Sequence, residues 1–412
     1  MSFFYLIMRE KDMGDINVYK KIIEQRLLTT AFQPIVSVKN RKMLGVEALS
    51  RGVYNGAPVA PAELFAYAKS SGEILRLERL CRELSLKSFA DIKSEMLMFL
   101  NFETSLLDTD IAGSGKILND VQAAGVKPES VVIEVNEDRV KDVGSLKSFI
   151  SFYRSKGFLI ALDDVGAGHS NLNRIAAVMP DIVKIDRTNI TDIDKNFYQQ
   201  EIVGAMVNLS HNTGALTVAE GVETIDEAVA CLMLGIDYMQ GFYFSKPVSN
   251  DEINRIALSG KLEYTAQSFK SRITKEMNDA KLSKAKYSQL LYSVVERLCV
   301  CNDDSAVLHD IVAQNKNIEC AYLLDESGVQ ITDTVMNNSL KLKSPALFSP
   351  AAKGDSHELK NYYYYAKLFD NDIYMSGDYV SGASGSLCKT ISASYTSSDG
   401  RKKIICLDIV EK

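Results

Sequence analysis

The fold of this chain is decided by the stretch Phe158-Leu159-Ile160-Ala161-Leu162-Asp163-Asp164-Val165-Gly166-Ala167-Gly168. It has the pattern of an apolar strand that ends in two adjacent carboxylates. The glycines that follow allow the backbone to turn sharply and to approach a ligand closely. Two carboxylates about 4 Å apart repel each other by roughly 4 kcal/mol at an effective dielectric constant of 20. Since cations relieve that repulsion, the pair predicts a cation-binding loop at the end of a strand.

The same arrangement recurs along the chain. Apolar runs alternate with helical stretches, among them 61–87, 143–156, 197–212 and 226–234. Strands that alternate with amphipathic helices indicate βα units and a parallel sheet. Nearly every apolar run ends in a carboxylate, an amide or a lysine: Glu47, Asn101, Glu134, Lys184, Asp186, Glu220, Glu223 and Gln240. Polar residues at the C-terminal ends of the strands predict a TIM-type (β/α)8 barrel with its site on that face.

Length, charge and cysteine content limit the classes of protein to consider. A chain of 412 residues predicts two or three domains. Its net charge of −6 shows no excess of basic residues of the kind that binds nucleic acid, so we expect no nucleic-acid polymer as a partner. Seven scattered cysteines favour reduced thiols and a cytoplasmic location. The apolar start, residues 2–8, is too short for a signal peptide or a membrane span, and we expect no membrane insertion.

The pattern of apolar, glycine and proline residues changes after Gly260. Residues 262–299 contain no glycine or proline and carry apolar residues at spacings near three, four and seven, which predicts one or two long amphipathic helices. Beyond them, 318–324 and 329–335 resemble a hairpin, and 374–380, 387–395 and 403–410 resemble strands. The predicted organisation is an N-terminal extension (1–20), a barrel (21–258), a helical connector (259–304) and an α+β domain with an antiparallel sheet (305–412).

The rim residues of the predicted barrel share one chemistry. Glu47, Asn101, Glu134, Asp163 and Asp164 offer hard oxygen ligands, with no cysteine and no obvious histidine set among them. Such ligands suit Mg²⁺ or Mn²⁺ better than zinc. Two such ions lower the pKa of a bridging water and stabilise an in-line phosphoryl displacement. The pattern therefore predicts two divalent cations and a phosphoryl-transfer site.

Three further residues have natural places in such a site. Lys184 would orient the attacking water, Glu220 would bind the second ion or accept the proton of that water, and Arg51 would bind a phosphate. Each residue alone has an ordinary alternative: a carboxylate at a strand end commonly caps a helix, and a lysine is commonly solvated. His169, next to the aspartate loop, is more often a packing residue than a ligand. The joint occurrence of these residues favours the site.

These residues carry a family resemblance. Glu47-Ala48-Leu49 is identical to the signature tripeptide of the EAL family of cyclic-di-GMP phosphodiesterases, and Phe32-Gln33-Pro34-Ile35-Val36 and Arg51 flank it as in that family. Four further segments resemble family motifs, in order: Asp163-Asp164-Val165-Gly166-Ala167-Gly168-His169-Ser170, Lys184-Ile185-Asp186, Ala219-Glu220-Gly221-Val222-Glu223 and Gln240-Gly241-Phe242-Tyr243-Phe244-Ser245-Lys246-Pro247. The similarity covers roughly residues 20–250.

The resemblance implies a TIM-like barrel with one antiparallel strand that hydrolyses cyclic di-GMP to linear pGpG with two Mg²⁺ or Mn²⁺ ions. It implies the following roles: Glu47, Asn101, Glu134 and Asp163 as ligands of the first ion; Asp163, Asp164 and Glu220 as ligands of the second; Lys184 as the holder of the nucleophilic water; Gln33, Arg51, Glu223 and Gln240 as substrate contacts; and Glu137 as a brace of the aspartate loop. It also implies pairing of two barrels in a homodimer.

The chain departs from the family pattern at three positions. Val165 replaces the usual Phe, His169 the usual Tyr, and Asn136 the common Thr. None of these changes removes a ligand, so they bear on rate and regulation. The alternative to an active enzyme is a cyclic-di-GMP receptor without activity, although such proteins typically lose ligands. A third, less favoured hypothesis is that the protein is a metal-dependent hydrolase of another phosphodiester.

The C-terminal region resembles, more weakly, the Cache or PAS-like sensor domains found beside such enzymes. The similar segments are 321–328, 377–381 and 390–394. This resemblance implies a regulatory input, from a small molecule or a protein, whose identity the sequence leaves open. The tyrosine cluster 362–365 either lines a pocket or alternates across the faces of a strand.

Overall fold

A computed structural model describes residues 18–92, 95–103, 115–136, 143–167, 173–339, 346–369 and 373–410. The chain divides into two compact units, one that extends to Ile273 and one that starts at Thr274. The division falls inside the segment expected to connect the two domains, and the domain limits drawn from the sequence stay predictions.

The sheet of the first unit is a closed barrel. Its strands are β1 (Leu28–Ser37), β2 (Lys42–Tyr54), β3 (Ala57–Val59), β4 (Leu97–Phe102), β5 (Val131–Asn136), β6 (Leu159–Val165), β7 (Ile182–Ile185), β8 (Leu216–Ala219) and β9 (Tyr238–Met239). Neighbouring strands from β2 through β4–β9 pair in parallel, and β1 closes the circle antiparallel to both β2 and β9. The short β3 extends β2 as a hairpin. The expectation of a TIM-like eight-stranded barrel with one antiparallel strand is confirmed.

Helices follow most strands of the barrel. They are α1 (Pro61–Ser71), α2 (Ile74–Ala90), α3 (Lys116–Ala123), α4 (Val143–Arg154), α5 (Asn173–Val178), α6 (Arg187–Ile190), α7 (Phe197–Asn212), α8 (Ile225–Met233) and α9 (Asn250–Ile253). The single helix expected over 61–87 is wrong, because the chain breaks at Gly72, whose φ of 80° closes α1 in a left-handed C-cap. Apolar side chains of these helices and the outward-facing strand residues form the main core.

The helix α10 (Ser259–Val300) spans the change from the first unit to the second. Near its start, Leu262 and Ala266 pack into the core of the first unit. Near its end, Leu291 and Leu298 belong to the core of the second unit. In between, Met277 is 66% exposed. The expectation of long helical structure over 262–299 is therefore met by one helix.

The second unit contains an antiparallel sheet. Its strands are β10 (Ile318–Asp325), β11 (Val335–Met336), β12 (Tyr374–Met375), β13 (Tyr379–Val380), β14 (Leu387–Thr396) and β15 (Lys402–Ile409), paired in the order β11-β10-β15-β14-β12, with β13 also on β14. The helices are α11 (Asp304–Gln314) and α12 (Asn361–Leu368). The expected α+β domain with an antiparallel sheet is confirmed.

Three details of the second unit differ from expectation. The run 329–335, expected as the second strand of a hairpin, reaches a strand only at its end, where β11 pairs with β10. The run 374–380 forms two separate two-residue strands, and the tyrosines at 362–365 lie on α12 and not on a strand. On the helix, Tyr362 and Tyr363 are buried while Tyr364 and Tyr365 are exposed. A run of four aromatic residues fits either period, and packing of one helical face on the sheet decides for the helix.

Candidate functional site

The barrel interior contains a layer of apolar side chains, and the site lies one layer above it. The apolar layer is Ile35, Phe99, Val132, Ala161, Ile182 and Val218, with Tyr238 packed against it. Side chains of a strand alternate between its two faces, so the residue two positions further along also points into the barrel. In the parallel strands this rule places Asn101, Glu134, Asp163, Lys184, Glu220 and Gln240 in the layer nearest the C-terminal ends of the strands.

The antiparallel strand β1 contributes to the same layer from the opposite direction. Gln33 precedes Ile35 by two residues and lies opposite Glu47 in the β1–β2 register. Gln240 Nε2 donates to Gln33 Oε1 at 3.0 Å and to Glu47 Oε2 at 2.6 Å. Asn101 Nδ2 donates to the other oxygen of Glu47 at 2.9 Å. Glu47 lies in the middle of the long β2, not at its end, and these amides hold its carboxylate in place.

Lys184 lies at the centre of the acidic cluster. Its side chain is only 1% exposed. Its Nζ atom lies 2.6 Å from Glu134 Oε1, 2.6 Å from Glu220 Oε1, 2.8 Å from Asp163 Oδ1 and 3.9 Å from Glu47 Oε2. One ammonium group therefore faces four carboxylates, and the group as a whole carries an excess of negative charge. A solvated surface role for this lysine is wrong.

The electrostatics of the cluster follow from burial and from this excess charge. Burial opposes the charge on Lys184, but Asp163, Glu134, Glu220 and Glu47 together outweigh it and hold the pKa of the ammonium well above its usual value. Burial raises the pKa of Glu134 well above its usual range, against the pull of Lys184. Burial also raises the pKa of Glu220 to about 8, again opposed by Lys184. For Glu134 and Glu220, the attraction of Lys184 alone therefore does not offset the cost of burial.

Two observations fit divalent cations. Carboxylate oxygens of Asp163, Asp164 and Glu220 lie within 4.8 Å of one another. Glu134 Oε2 is buried and accepts no hydrogen bond from the described residues. An orphaned buried carboxylate oxygen is costly unless a cation or a donor reaches it. The donor set is made of oxygens alone, which suits Mg²⁺, Mn²⁺ or Ca²⁺.

The backbone at the aspartate pair explains how two adjacent carboxylates reach one site. Asp164 has a φ of 56°, in the left-handed region that aspartate tolerates better than most residues. The β6–β7 register is irregular between Leu162 and Val165. This local turn breaks the strict alternation of faces, so Asp163 and Asp164 both line the site cavity. Asn136 donates a hydrogen bond to Asp164 Oδ2.

The remaining expected residues lie around two adjoining cavities. One, of about 280 Å³, is lined by Glu223 together with the central cluster, and the other, of about 330 Å³, by Arg51; both cavities share Asp163 and Asp164. Arg51 is half-buried, and burial lowers its pKa against the field of Glu47. Glu137, expected to brace the aspartate loop, lies outside the described residues, as does His169.

Sequence reasoning missed Arg187. Its Nη2 lies 2.8 Å from Glu223 Oε1, and the residue lines the smaller cavity. A Cβ atom at Gly221, which has a φ of 67°, would lie 2.4 Å from Arg187 Cγ. The glycine in the segment 219–223 therefore makes room for the arginine. The position of Gly221, two residues before Glu223, was the one feature of the sequence that could have indicated this arginine.

Fold and site together define a class: a TIM-like barrel protein with an oxygen-rich site, suited to divalent cations, around a buried lysine. Within that class the chain belongs to the EAL family. The family model for the EAL domain matches residues 17–247, which is more than half of the chain.

Comparison with known proteins gives relatives of this family. The chain is 28% identical over 250 residues to the signaling protein YkoW of Bacillus subtilis, with 58% of this chain and 31% of YkoW covered. It is 26% identical over 314 residues to the uncharacterized EAL-domain containing protein YkuI of the same organism, with 74% and 76% covered. It is 28% identical over 241 residues to PdeN of Escherichia coli, a probable cyclic di-GMP phosphodiesterase, with 57% and 46% covered. The chain thus spans less than half the length of YkoW and PdeN.

Solved structures agree with this assignment. The crystal structure of B. subtilis YkuI, in complex with substrate c-di-GMP and calcium, superposes with a TM-score of 0.78 at 22% identity and covers 96% of this chain and 99% of YkuI. At that identity the likeness shows the fold, and it extends over both units. Klebsiella pneumoniae BlrP1, in a manganese/cy-diGMP complex, gives a TM-score of 0.51 at 29% identity over 54% of this chain and 56% of BlrP1.

Among the described residues, none of the helices combines the length and apolar character needed to cross a lipid bilayer.

Proposed function

We propose that this chain hydrolyses cyclic di-GMP to linear pGpG with the help of two divalent cations, Mg²⁺ or Mn²⁺. The observation that carries the proposal is the complete set of oxygen ligands around Lys184 in a barrel of the EAL family. Relatives named as probable cyclic di-GMP phosphodiesterases support the choice of substrate. A receptor without activity would need no such complete cluster.

The proposed ligands of the two ions are those that the resemblance to the EAL family implies, and the clustering of their carboxylates around Lys184 supports them. We assign Glu47, Asn101, Glu134 and Asp163 to the first ion, and Asp163, Asp164 and Glu220 to the second. The amides that hold Glu47 leave its carboxylate little freedom to reorient. Bound ions of this type would activate a water molecule and stabilise the charge that develops on the phosphoryl group during its displacement.

Lys184 has the properties of a residue that orients the attacking water. Its ammonium is held charged by its four carboxylate neighbours, so it donates hydrogen bonds and does not take up a proton. Its burial and its three contacts shorter than 3 Å fix the position of Nζ. A fixed donor in a buried site stabilises developing charge at little reorganisation cost.

Four side chains are assigned to substrate. Arg51 is a planar fork suited to a phosphate oxygen. Gln33, Gln240 and Glu223 offer amide and carboxylate groups that match the donors and acceptors of a guanine edge. Gln240 Oε1 is buried and has no hydrogen-bond partner among the described residues, so it is available to a ligand donor.

The decisive experiment incubates the purified chain with cyclic di-GMP and either Mn²⁺ or Mg²⁺ and resolves the products by chromatography. We expect conversion to pGpG that EDTA abolishes. Binding of cyclic di-GMP without cleavage by either metal would establish a receptor instead. Cleavage of other phosphodiesters with equal efficiency would establish a less specific hydrolase.

Regulation and assembly form a second part of the proposal. We propose a cytoplasmic homodimer in which the second unit, a Cache- or PAS-like domain, adjusts the activity of the barrel through α10. The exposed middle of α10, with Met277 and Leu282 at its surface, supports a further partner for this helix. Light scattering on the full chain and activity of the chain truncated after Ile273, where the first unit ends, test it. A monomer whose truncated barrel has unchanged activity would contradict the coupling.

A further inference from the structure

The second unit contains a cavity of about 640 Å³ that the proposed phosphodiesterase chemistry does not use. Residues of β10, β12, β15 and α12 line it. Sites for small organic molecules commonly have volumes of about 300–1,000 Å³. The cavity is therefore large enough for a ligand of that class.

The sheet behind the cavity has two chemically different faces. On one face, Leu323, Ile405 and Leu407 join an apolar core with α10 and α11. The other face carries an apolar cluster that includes Leu324 and Ile404 and packs on α12. Beside this cluster lie Thr390 and Asp408, directly opposite each other in the β14–β15 register and both buried. The apolar cluster already accounts for the packing of α12, and buried polar groups cost free energy unless they are satisfied. Thr390 and Asp408 are therefore the groups of this face whose burial needs a separate explanation.

Asp408 is the central group of this face. It is 5% exposed and lines the cavity. Tyr379 donates to Thr390 Oγ1 at 2.5 Å, and Thr390 donates to Asp408 Oδ1 at 2.7 Å. The other oxygen, Oδ2, accepts the weak thiol donor of Cys320 at 3.4 Å, and the Tyr379 hydroxyl also interacts with the carboxylate. The described residues place no lysine, arginine or histidine within ion-pair distance of Asp408, so a ligand can supply the missing cation.

Aromatic rings form another part of the wall. The ring of Tyr322 stacks on that of His357, with 5.1 Å between centroids, and Tyr362 lies edge-on to Tyr322 at 6.4 Å. Both nitrogens of His357 are engaged, Nδ1 with Tyr362 at 2.6 Å and Nε2 with Gln330 at 2.9 Å. Burial also lowers the pKa of His357, which keeps the ring neutral near pH 7. Faces of neutral aromatic rings attract cations.

The charged residues that line the cavity also favour a cation. Asp355, Asp378 and Asp408 carry negative charge, and Lys360 carries the one positive charge among the described lining residues. We propose that this cavity binds a small organic cation, with an ammonium or amidinium group at Asp408 Oδ2 and an apolar body against Tyr322 and Tyr362.

The test measures binding of matched probe pairs to the full chain by isothermal titration calorimetry. Tyramine is compared with 4-ethylphenol, which has the same body without the ammonium group, and benzamidine is compared with neutral benzamide. Charge-assisted hydrogen bonds predict that at least one cation binds about 10-fold or more tightly than its neutral partner. Equal affinities within both pairs, or no binding of either cation at millimolar concentration, would overturn the proposal.

Variants connect the binding to the cavity. Asp408→Asn keeps the shape of the side chain and is expected to remove the preference for the cation while leaving the neutral probe unaffected. Asp310→Asn is the control, because it neutralises a carboxylate of the second unit that pairs with Arg297 and does not line the cavity. If Asp408→Asn fails to fold, Asp378→Asn neutralises another carboxylate of the lining and should weaken the cation more than its neutral partner. Unchanged cation affinity in a folded Asp408→Asn protein would refute the site.

Discussion

Replacing Lys184 with alanine removes the ammonium group that lies among four carboxylates. We expect kcat for hydrolysis of cyclic di-GMP to fall by about 10²–10³-fold, the usual cost of losing one positioned donor in an active site. KM should change much less, because the lysine is assigned to the water and not to the substrate. Initial rates over a range of substrate concentrations, with Mn²⁺ present, separate the two quantities.

The same change has a predictable effect on stability. Removing one partner of a buried ion pair costs about 3–5 kcal/mol, because the other charge stays buried and unpaired. In a unit of this size that corresponds to a fall of roughly 6–20 °C in Tm in the metal-free protein. Divalent cations stabilise both proteins by mass action, and the variant should bind them more tightly because its four carboxylates have lost the ammonium; the difference in Tm should therefore shrink. Calorimetry with EDTA and with Mn²⁺ measures both values, and rates are compared below the lower Tm.

Lys195→Ala is the matched control for Lys184→Ala. Lys195 is an exposed lysine whose Nζ lies 2.6 Å from Asp192 Oδ1. Its loss should change stability by no more than about 0.5 kcal/mol and leave the rate unchanged. Loss of affinity equal to the loss of rate in Lys184→Ala would show that Lys184 holds substrate, and our reasoning about its role would be wrong.

Three further changes test other parts of the structure. Glu47→Ala removes a carboxylate that is held by two amides, and it should abolish turnover in the chromatographic assay. Glu201→Ala, at an exposed position on α7, is the control and should leave turnover unchanged. A Glu47→Ala protein with a near wild-type rate would contradict the metal assignment. Gly241→Ala would place a Cβ atom 2.0 Å from the backbone oxygen of Val222. We therefore expect the free energy of unfolding, measured with urea, to fall by about 1–3 kcal/mol. An unchanged unfolding midpoint would show that the backbone relaxes freely at this position. Burial raises the pKa of Asp408 to about 6, above the value of about 3.9 expected in the unfolded chain, so the folded state binds more protons between these values and its stability should fall by about 3 kcal/mol as the pH rises through that window. Hydrogen exchange of the β15 amides should show this slope in the wild type and not in Asp408→Asn, and equal slopes would argue against a buried, ionisable Asp408.

Much of the site could be predicted from the sequence because two local rules govern it. Side chains alternate along a strand, and the C-terminal ends of parallel strands meet on one face of a barrel. Glu134, Lys184 and Glu220 each follow an interior apolar residue by two positions, so their shared location depends only on the strands being recognised. Helix α7 has the bounds expected from its periodicity for the same reason.

Other features depend on which segments become neighbours. Closure of the barrel brings four carboxylates around the Lys184 ammonium and excludes solvent from it. Gln33 meets Gln240 across 207 residues only because β1 closes the barrel. The tyrosines at 362–365 fit a strand or a helix equally well until α12 packs on the sheet of the second unit. The sequence by itself thus determined the alternating strands and the chemistry of their ends. Only the tertiary structure decided burial, ion pairing and the cavity at Asp408, because these depend on contacts between residues far apart in the chain.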